Sequence, residues 1–197
     1  MELASPDGWA SNPELVLEFY NERRAKAWLA QPNAAHRAIA TLESKYDVVV
    51  ITQNVDALHE RAGSTQVLHV HGELAYARGT GPARKRYRLD DAPIQLGQTC
   101  AEGTQLRPDI VWFGEETQHM AEAAGHVAAA AKVLVVGTSL SVYPAAGLVD
   151  AARHDSDRVL VSLDMDEIPR GFRYLQGKAT ERVPPLVAEW LGEKFNS

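Results

Sequence analysis

Apolar and polar positions divide the chain into helical and extended stretches. Behind Asn12-Pro13-Glu14, which supplies a capping amide, a first-turn proline and a first-turn acid, come Leu15, Val16, Phe19 and Tyr20 at helical spacing. A helix is therefore predicted over 13–30. Pro32-Asn33 breaks and recaps the chain, and AAHRAIATLESKY then places Ile39, Leu42 and Tyr46 on one helical face. The next stretch, DVVVIT at 47–52, is a continuous β-branched run, the pattern of a strand buried on both faces. Similar apolar runs return as VLHV (67–70), IVWF (110–113), KVLVVG (132–137) and RVLVSL (158–163). Helical stretches AEAAGHVAAAA, PAAGLVDAARH and LVAEWLGEKF lie among or after them. Strands alternating with helices predict an α/β fold with a Rossmann-like parallel sheet, built as a single domain over 1–197. Residues 77–108 break the pattern. They are rich in glycine, proline and charge and lack periodicity, so a small irregular insertion is expected there.

Ligands of open α/β sheets bind beyond the carboxyl ends of the strands, which directs attention to the residues after each apolar run. These are Gln53-Asn54-Val55-Asp56, His71-Gly72-Glu73, Gly114-Glu115, Gly137-Thr138-Ser139 and Asp164, expected to converge on one crevice. Two amides and a carboxylate at 53–56 exceed the hydrogen-bonding needs of a turn, although Asn54 and Asp56 also serve as ordinary helix-entry caps. His71 has the ionisation range of a general base at neutral pH, although a lone histidine is more often structural. The other six histidines, at 36, 59, 69, 119, 126 and 154, fit surface or capping roles. Gly137-Thr138-Ser139, ahead of Pro144 at a helix start, offers backbone N–H groups and hydroxyls to a phosphate or ribose, with a plain strand-to-helix turn as the alternative, and Asp164 could accept from ribose hydroxyls. Tyr20 and Arg23 share a helix face, where a phenol and a guanidinium could grip a carboxylate; a half-buried tyrosine beside a solvated arginine is the plainer reading.

Charge and cysteine content narrow the classes. Twenty Lys+Arg against 26 Asp+Glu leave a formal charge of -6, which argues against a nucleic-acid or anionic-membrane coat. Arg84-Lys85-Arg86-Tyr87-Arg88 is accordingly expected to be a solvated loop. No apolar run reaches the roughly 20 residues of a membrane span. Cys100, the single cysteine, cannot form an internal disulfide, and the start MELASPDGW lacks a secretory pattern, so a cytoplasmic protein is expected. Residues 77–108 contain one cysteine and no histidine, too few donors for structural zinc.

Taken together, ITQNVDALHERAG, VLHVHGEL, LRPDIVWFGE and GTSLSVYPAAG resemble the sirtuins, NAD-dependent protein-lysine deacylases, over nearly the whole chain. The PNAAHRAIA segment and the spacing of Tyr20 and Arg23 are similar to the branch that removes succinyl, malonyl and glutaryl groups, where those two residues hold the acyl carboxylate. The resemblance places Gln53, Asn54, Val55 and Asp56 around the nicotinamide ribose, with Asn54 and Asp56 joining His71, the general base, in catalysis. It assigns Gly137, Thr138 and Ser139 to the phosphate and adenosine half of NAD, Ser162, Leu163 and Asp164 to the cofactor ribose, and Ala179 to adenine. Val111, Trp112, Phe113 and Gly114 resemble the segment that lines the acyl-lysine channel and pairs with the substrate backbone. The implied chemistry is attack of the acyl oxygen on the ribose anomeric carbon, departure of nicotinamide, and release of lysine and O-acyl-ADP-ribose. The implied partners are acyl-lysine proteins or peptides.

The sequence departs from that pattern in three places. Cys100 matches the last of four zinc cysteines, while Gly97 and Gly79 stand where others belong, so zinc is expected to be absent. Ser162-Leu163-Asp164 has no match for the family's late asparagine. The first strand and its Gly-Ala-Gly phosphate turn would precede ELASPDGW, and no such segment is in the sequence. The expectation is weakened NAD binding, with a non-catalytic ADP-ribose- or protein-binding remnant as the alternative to an active deacylase. ADP-ribosyl transfer to protein would use the same cofactor chemistry with another acceptor.

Overall fold

The computed structural model describes residues 3–193 and divides the chain into two units. The first takes in residues 1–30, 52–57 and 69–118, and the second 31–51, 58–68 and 119–197.

In the first unit, α1 (Pro6–Ser11) and α2 (Pro13–Leu29) pack on an antiparallel sheet. Asn12 caps α2 through Oδ1, which accepts from the Leu15 N–H, and Pro13 occupies the first helical position, so the start is where the sequence puts it. The helix turns Val16 and Tyr20 toward Leu74, Ile110 and Trp112, and Leu17 toward Ala77, Ile94, Cys100 and Leu106. The sheet has the order β4 (Arg86–Arg88), β3 (Gly72–Gly79), β5 (Leu106–Ile110), all antiparallel. This differs from the sequence reading in two ways. The strand near IVWF lies at Leu106–Ile110, is antiparallel and has all five residues buried, because the chain turns immediately afterwards at Trp112–Glu115. Arg86 and Arg88 belong to an edge strand instead of a solvated loop, and within 77–108 Thr99 bridges Gln105.

Cys100 is buried, with Sγ 3.1 Å from Thr104 Oγ1, and a Cβ at Gly79 would stand 2.8 Å from that sulfur and 2.7 Å from that hydroxyl. One thiol packed against a hydroxyl and a side-chain-free position do not fit a tetrahedral zinc site.

The second unit holds a three-stranded parallel sheet in which KVLVVG and RVLVSL take their predicted places, whereas DVVVIT and VLHV form a separate pair. β6 (Lys132–Val136), β7 (Asp157–Ser162) and β8 (Arg173–Gln176) pair in that order, with Lys132 opposite Asp157 and Val159 opposite Arg173. The helix α3 (Ala34–Thr41) and the last helix, named below, pack their apolar faces around Val159 and Val161. The expected helix at 144–154 is a 3-10 helix over Ala145–Ala151, and α5 (Met120–Ala129) precedes β6. The last helix, α6 (Ala179–Leu191), begins before LVAEWLGEKF and runs through Pro184 and Pro185, since burial of Val183, Leu186, Val187 and Trp190 outweighs the two lost donors. The predicted end at 194–195 lies outside the described residues.

β1 (Val50–Thr52) pairs with β2 (Val67–His69), and α4 (Leu58–Ala62) lies between them in sequence. β1 is shorter than DVVVIT, and Val48–Ile51 are only half-buried rather than covered on both faces. Among the described residues, no helix is long and apolar enough to cross a membrane.

Candidate functional site

Within the first unit the residues after β1 fold back on themselves. Thr52 Oγ1 accepts from the Asn54 N–H at 3.0 Å, and the Val55 carbonyl accepts from the Leu74 N–H at 2.8 Å, while Val55 itself packs beside the buried Tyr20–Trp112 cluster. That anchoring leaves Asn54 exposed and Gln53 and Asp56 half-buried. His69, expected at the surface, is instead buried with Nδ1 3.2 Å from the Asn54 carbonyl.

His71 follows β2. Its carbonyl accepts from the Val111 N–H at 2.9 Å, and its half-buried imidazole hydrogen-bonds the backbone of Gln53. The structure thus brings His71 to the 53–56 loop. Burial lowers the imidazole below its ordinary 6.5, and the Gln53 contact only partly opposes this, so the ring is neutral at physiological pH. A neutral imidazole held against a polar loop can take a proton from a hydroxyl placed there.

Tyr20 and Val111–Gly114 meet around Trp112. Trp112 is 2% exposed, with ring centroids 5.6 Å from Trp9 and 6.4 Å from Tyr20. Its indole is therefore core, whereas Phe113 is 61% exposed. Tyr20 is 5% exposed, deeper than the half-buried reading, and burial raises its phenol above the ordinary range against the pull of Trp112, Arg107 and Arg23. Arg23 is exposed, its guanidinium carbon 4.2 Å from the Phe19 ring centroid.

The second unit gathers another group. Gly137, Ser162, Leu163 and Ala179 line a cavity of about 320 Å³ together with Val161, Gly177, Lys178 and Thr180. Gly137 adopts φ +65° with open space where a side chain would project, so backbone can approach a ligand there. Thr138, Ser139 and Asp164 stand outside this lining. Thr138 Oγ1 accepts from the Leu140 N–H, the Ser139 and Ser141 hydroxyls bond each other, and Asp164 Oδ1 accepts from the Met165 N–H. Gly177 and Lys178 were not foreseen because β8, whose carboxyl end they follow, is too short and too polar to recognise.

A family model described as the Sir2 family matches residues 1–144. The chain belongs to the Sir2 family. The NAD-dependent protein deacylase of Helicobacter pylori (strain J99) is 49% identical over 156 residues, covering 79% of this chain and 66% of that protein. The chain thus spans just under two thirds of that relative. Among solved structures, a Sir2 homologue in complex with NAD superposes with a TM-score of 0.87 at 36% identity, over 96% of this chain and 77% of the other. A Sir2 protein bound to an acetylated peptide gives 0.80 at 30% identity, over 98% and 84%. Sir2 membership accounts for the motif order along both units.

Proposed function

We propose that this Sir2-family chain is an NAD-dependent protein-lysine deacylase, acting in the cytoplasm on acyl-lysine in proteins or peptides. The observation that carries the reading is the half-buried His71 imidazole bonded to the Gln53 backbone, beside the Asn54–Asp56 loop. When bound, NAD supplies the ribose carbon that accepts the acyl oxygen as nicotinamide leaves. Gln53, Asn54 and Asp56 offer donors and acceptors to the ribose and nicotinamide end, and His71 takes the ribose hydroxyl proton. Gly137, Ser162, Leu163 and Ala179 offer the second-unit cavity to the adenosine end, with Thr138, Ser139 and Asp164 in the adjoining turns. Val111, Phe113 and Gly114 present the backbone and an exposed ring to the acyl-lysine peptide.

Incubating succinyl-lysine and acetyl-lysine peptides with and without NAD, followed by mass spectrometry, tests this. NAD-dependent loss of the acyl mass, with matching O-acyl-ADP-ribose, is expected. Calorimetric NAD binding without turnover of either peptide would make the chain a binding remnant instead.

The acyl preference we assign is for succinyl and malonyl, on the placement of Tyr20 and Arg23 three residues apart in α2, with Arg23 stacked on Phe19 and Phe19 edge-on to Tyr20. Arg23→Met should cost roughly 1.5–3 kcal/mol in kcat/KM on succinyl-lysine, the worth of a hydrogen bond to a charged group, and leave acetyl-lysine nearly untouched. Equal losses on the two peptides would remove Arg23 from that role.

A further inference from the structure

Glu115 gathers four hydrogen-bond donors from three residues of the first unit. Arg107 grips it with two bonds, Nη1 to Oε1 at 2.7 Å and Nη2 to Oε2 at 2.9 Å. Arg78 Nη2 reaches Oε1 at 3.2 Å, and the Trp112 N–H donates to Oε2 at 2.9 Å. The Glu115 N–H in turn donates to the Trp112 carbonyl, closing a turn around Gly114 at φ +88°. The same Arg107 guanidinium lies 3.1 Å over the Trp112 ring and donates to the Ile110 carbonyl. The residues on both sides of Phe113 are therefore held by one ion pair.

Elsewhere the network continues through the sheet. Arg78 also faces Asp109 at 3.5 Å, and Arg86 of β4 joins Asp109 at 2.6 Å and Glu73. Glu73 is two residues from His71, and Asp109 is two residues from Val111. A chain of alternating charges thus runs from the strand that begins beside His71 to the turn that carries Phe113.

We propose that the Arg107–Glu115 pair positions the substrate peptide, by fixing the Val111–Gly114 turn in the one conformation that presents Phe113 and the Gly114 backbone to an acyl-lysine chain. The inference rests on the deacylase reading and deepens it. Neither residue needs to touch the reacting atoms. A merely structural pair would, when removed, lower thermal stability and weaken every ligand together; a positioning pair weakens the peptide alone.

Removing Glu115 alone would strand the Arg107 charge, so the decisive variant replaces both, Arg107→Met with Glu115→Met, which conserves volume and leaves Arg78 paired with Asp109. Fluorescence anisotropy with a fluorescein-labelled succinyl-lysine peptide reads affinity whether or not turnover occurs. The double variant is expected to bind that peptide about tenfold more weakly, to bind NAD by calorimetry as the unaltered chain does, and to melt within a few degrees of it. Arg107→Lys, which keeps the charge but not the fork or the stack, should fall between. Unchanged peptide affinity in the double variant overturns the proposal, as does equal weakening of peptide and NAD accompanied by a lowered melting temperature. An unaltered chain that binds the peptide but never turns it over refutes the deacylase reading and leaves the positioning role to be decided by the affinities.

Discussion

His71→Ala should lower turnover of acyl-lysine peptides by a factor of about 10² to 10⁴, the usual worth of a general base, while the melting temperature barely moves. The side chain is half-buried and makes one backbone hydrogen bond, to Gln53, so little packing is lost with it. The pH profile supplies a second reading. Burial lowers the imidazole, so the neutral, base-competent form persists below pH 6.5 and the acid limb of kcat/KM should have its midpoint below that value. The stability consequence has the same direction. The unfolded chain binds the His71 proton more readily than the folded one, so folding loses stability as pH falls through 6.5, and the alanine variant lacks that loss. Unaltered turnover in the variant, or an acid limb centred above 6.5, would remove His71 as the base.

The second large effect is expected next to it, at Gly72→Ala. Gly72 stands opposite Ile110 in the β3–β5 ladder at φ +81°, and an added Cβ would lie 2.0 Å from the Asp109 carbonyl oxygen and 2.9 Å from its carbon. The obstacle is backbone, which cannot rotate away. Unfavourable φ and forced separation of the two strands together should cost about 4 kcal/mol, the range reserved for a named steric or backbone conflict. Thermal melting should fall by roughly 10 °C for a chain of this size. Because the Val111 N–H bonds the His71 carbonyl, opening that ladder also displaces the base from the Phe113 turn, and turnover should vanish before the fold does. A variant that melts within a few degrees of the unaltered chain would show that β3 and β5 can part cheaply.

Which features were legible in the sequence follows from how local their causes are. Asn12-Pro13-Glu14 marks α2 because a cap and a first-turn proline act within four residues, and KVLVV and RVLVS announce their strands because their β-branched runs suit a parallel ladder that buries Val159–Ser162 fully and Lys132–Val136 in part. The strand at Leu106–Ile110 was displaced toward IVWF for the opposite reason. Its buried Arg107 and Asp109 look like loop residues until their partners, Glu115 and Arg86, are known, and Arg86 lies more than 20 positions away. α1 is six residues with a glycine inside, below the length at which periodicity speaks, yet it brings Trp9 onto Trp112. Arg24 is a similar case. The sequence places it beside Arg23 without distinguishing the two, but it is 1% exposed, donates to the Leu74 carbonyl and to Asn21, and is pulled down to about 10 by burial. That His71 meets the 53–56 loop was readable from strand-end logic, whereas Trp112 as core and Lys178 as cavity lining required the tertiary structure.

Because charge pairs tie β4 to the strands beside it, this half of the molecule should be vulnerable to acid. Burial alone would raise the Glu115 carboxyl, but Arg107, the Trp112 N–H and Arg78 hold it below its ordinary 4.5. Its share of the stability is therefore complete above that value and drains away only as pH falls beneath it. A strongly acidic buffer would unfasten the scaffold from the turn that carries Phe113.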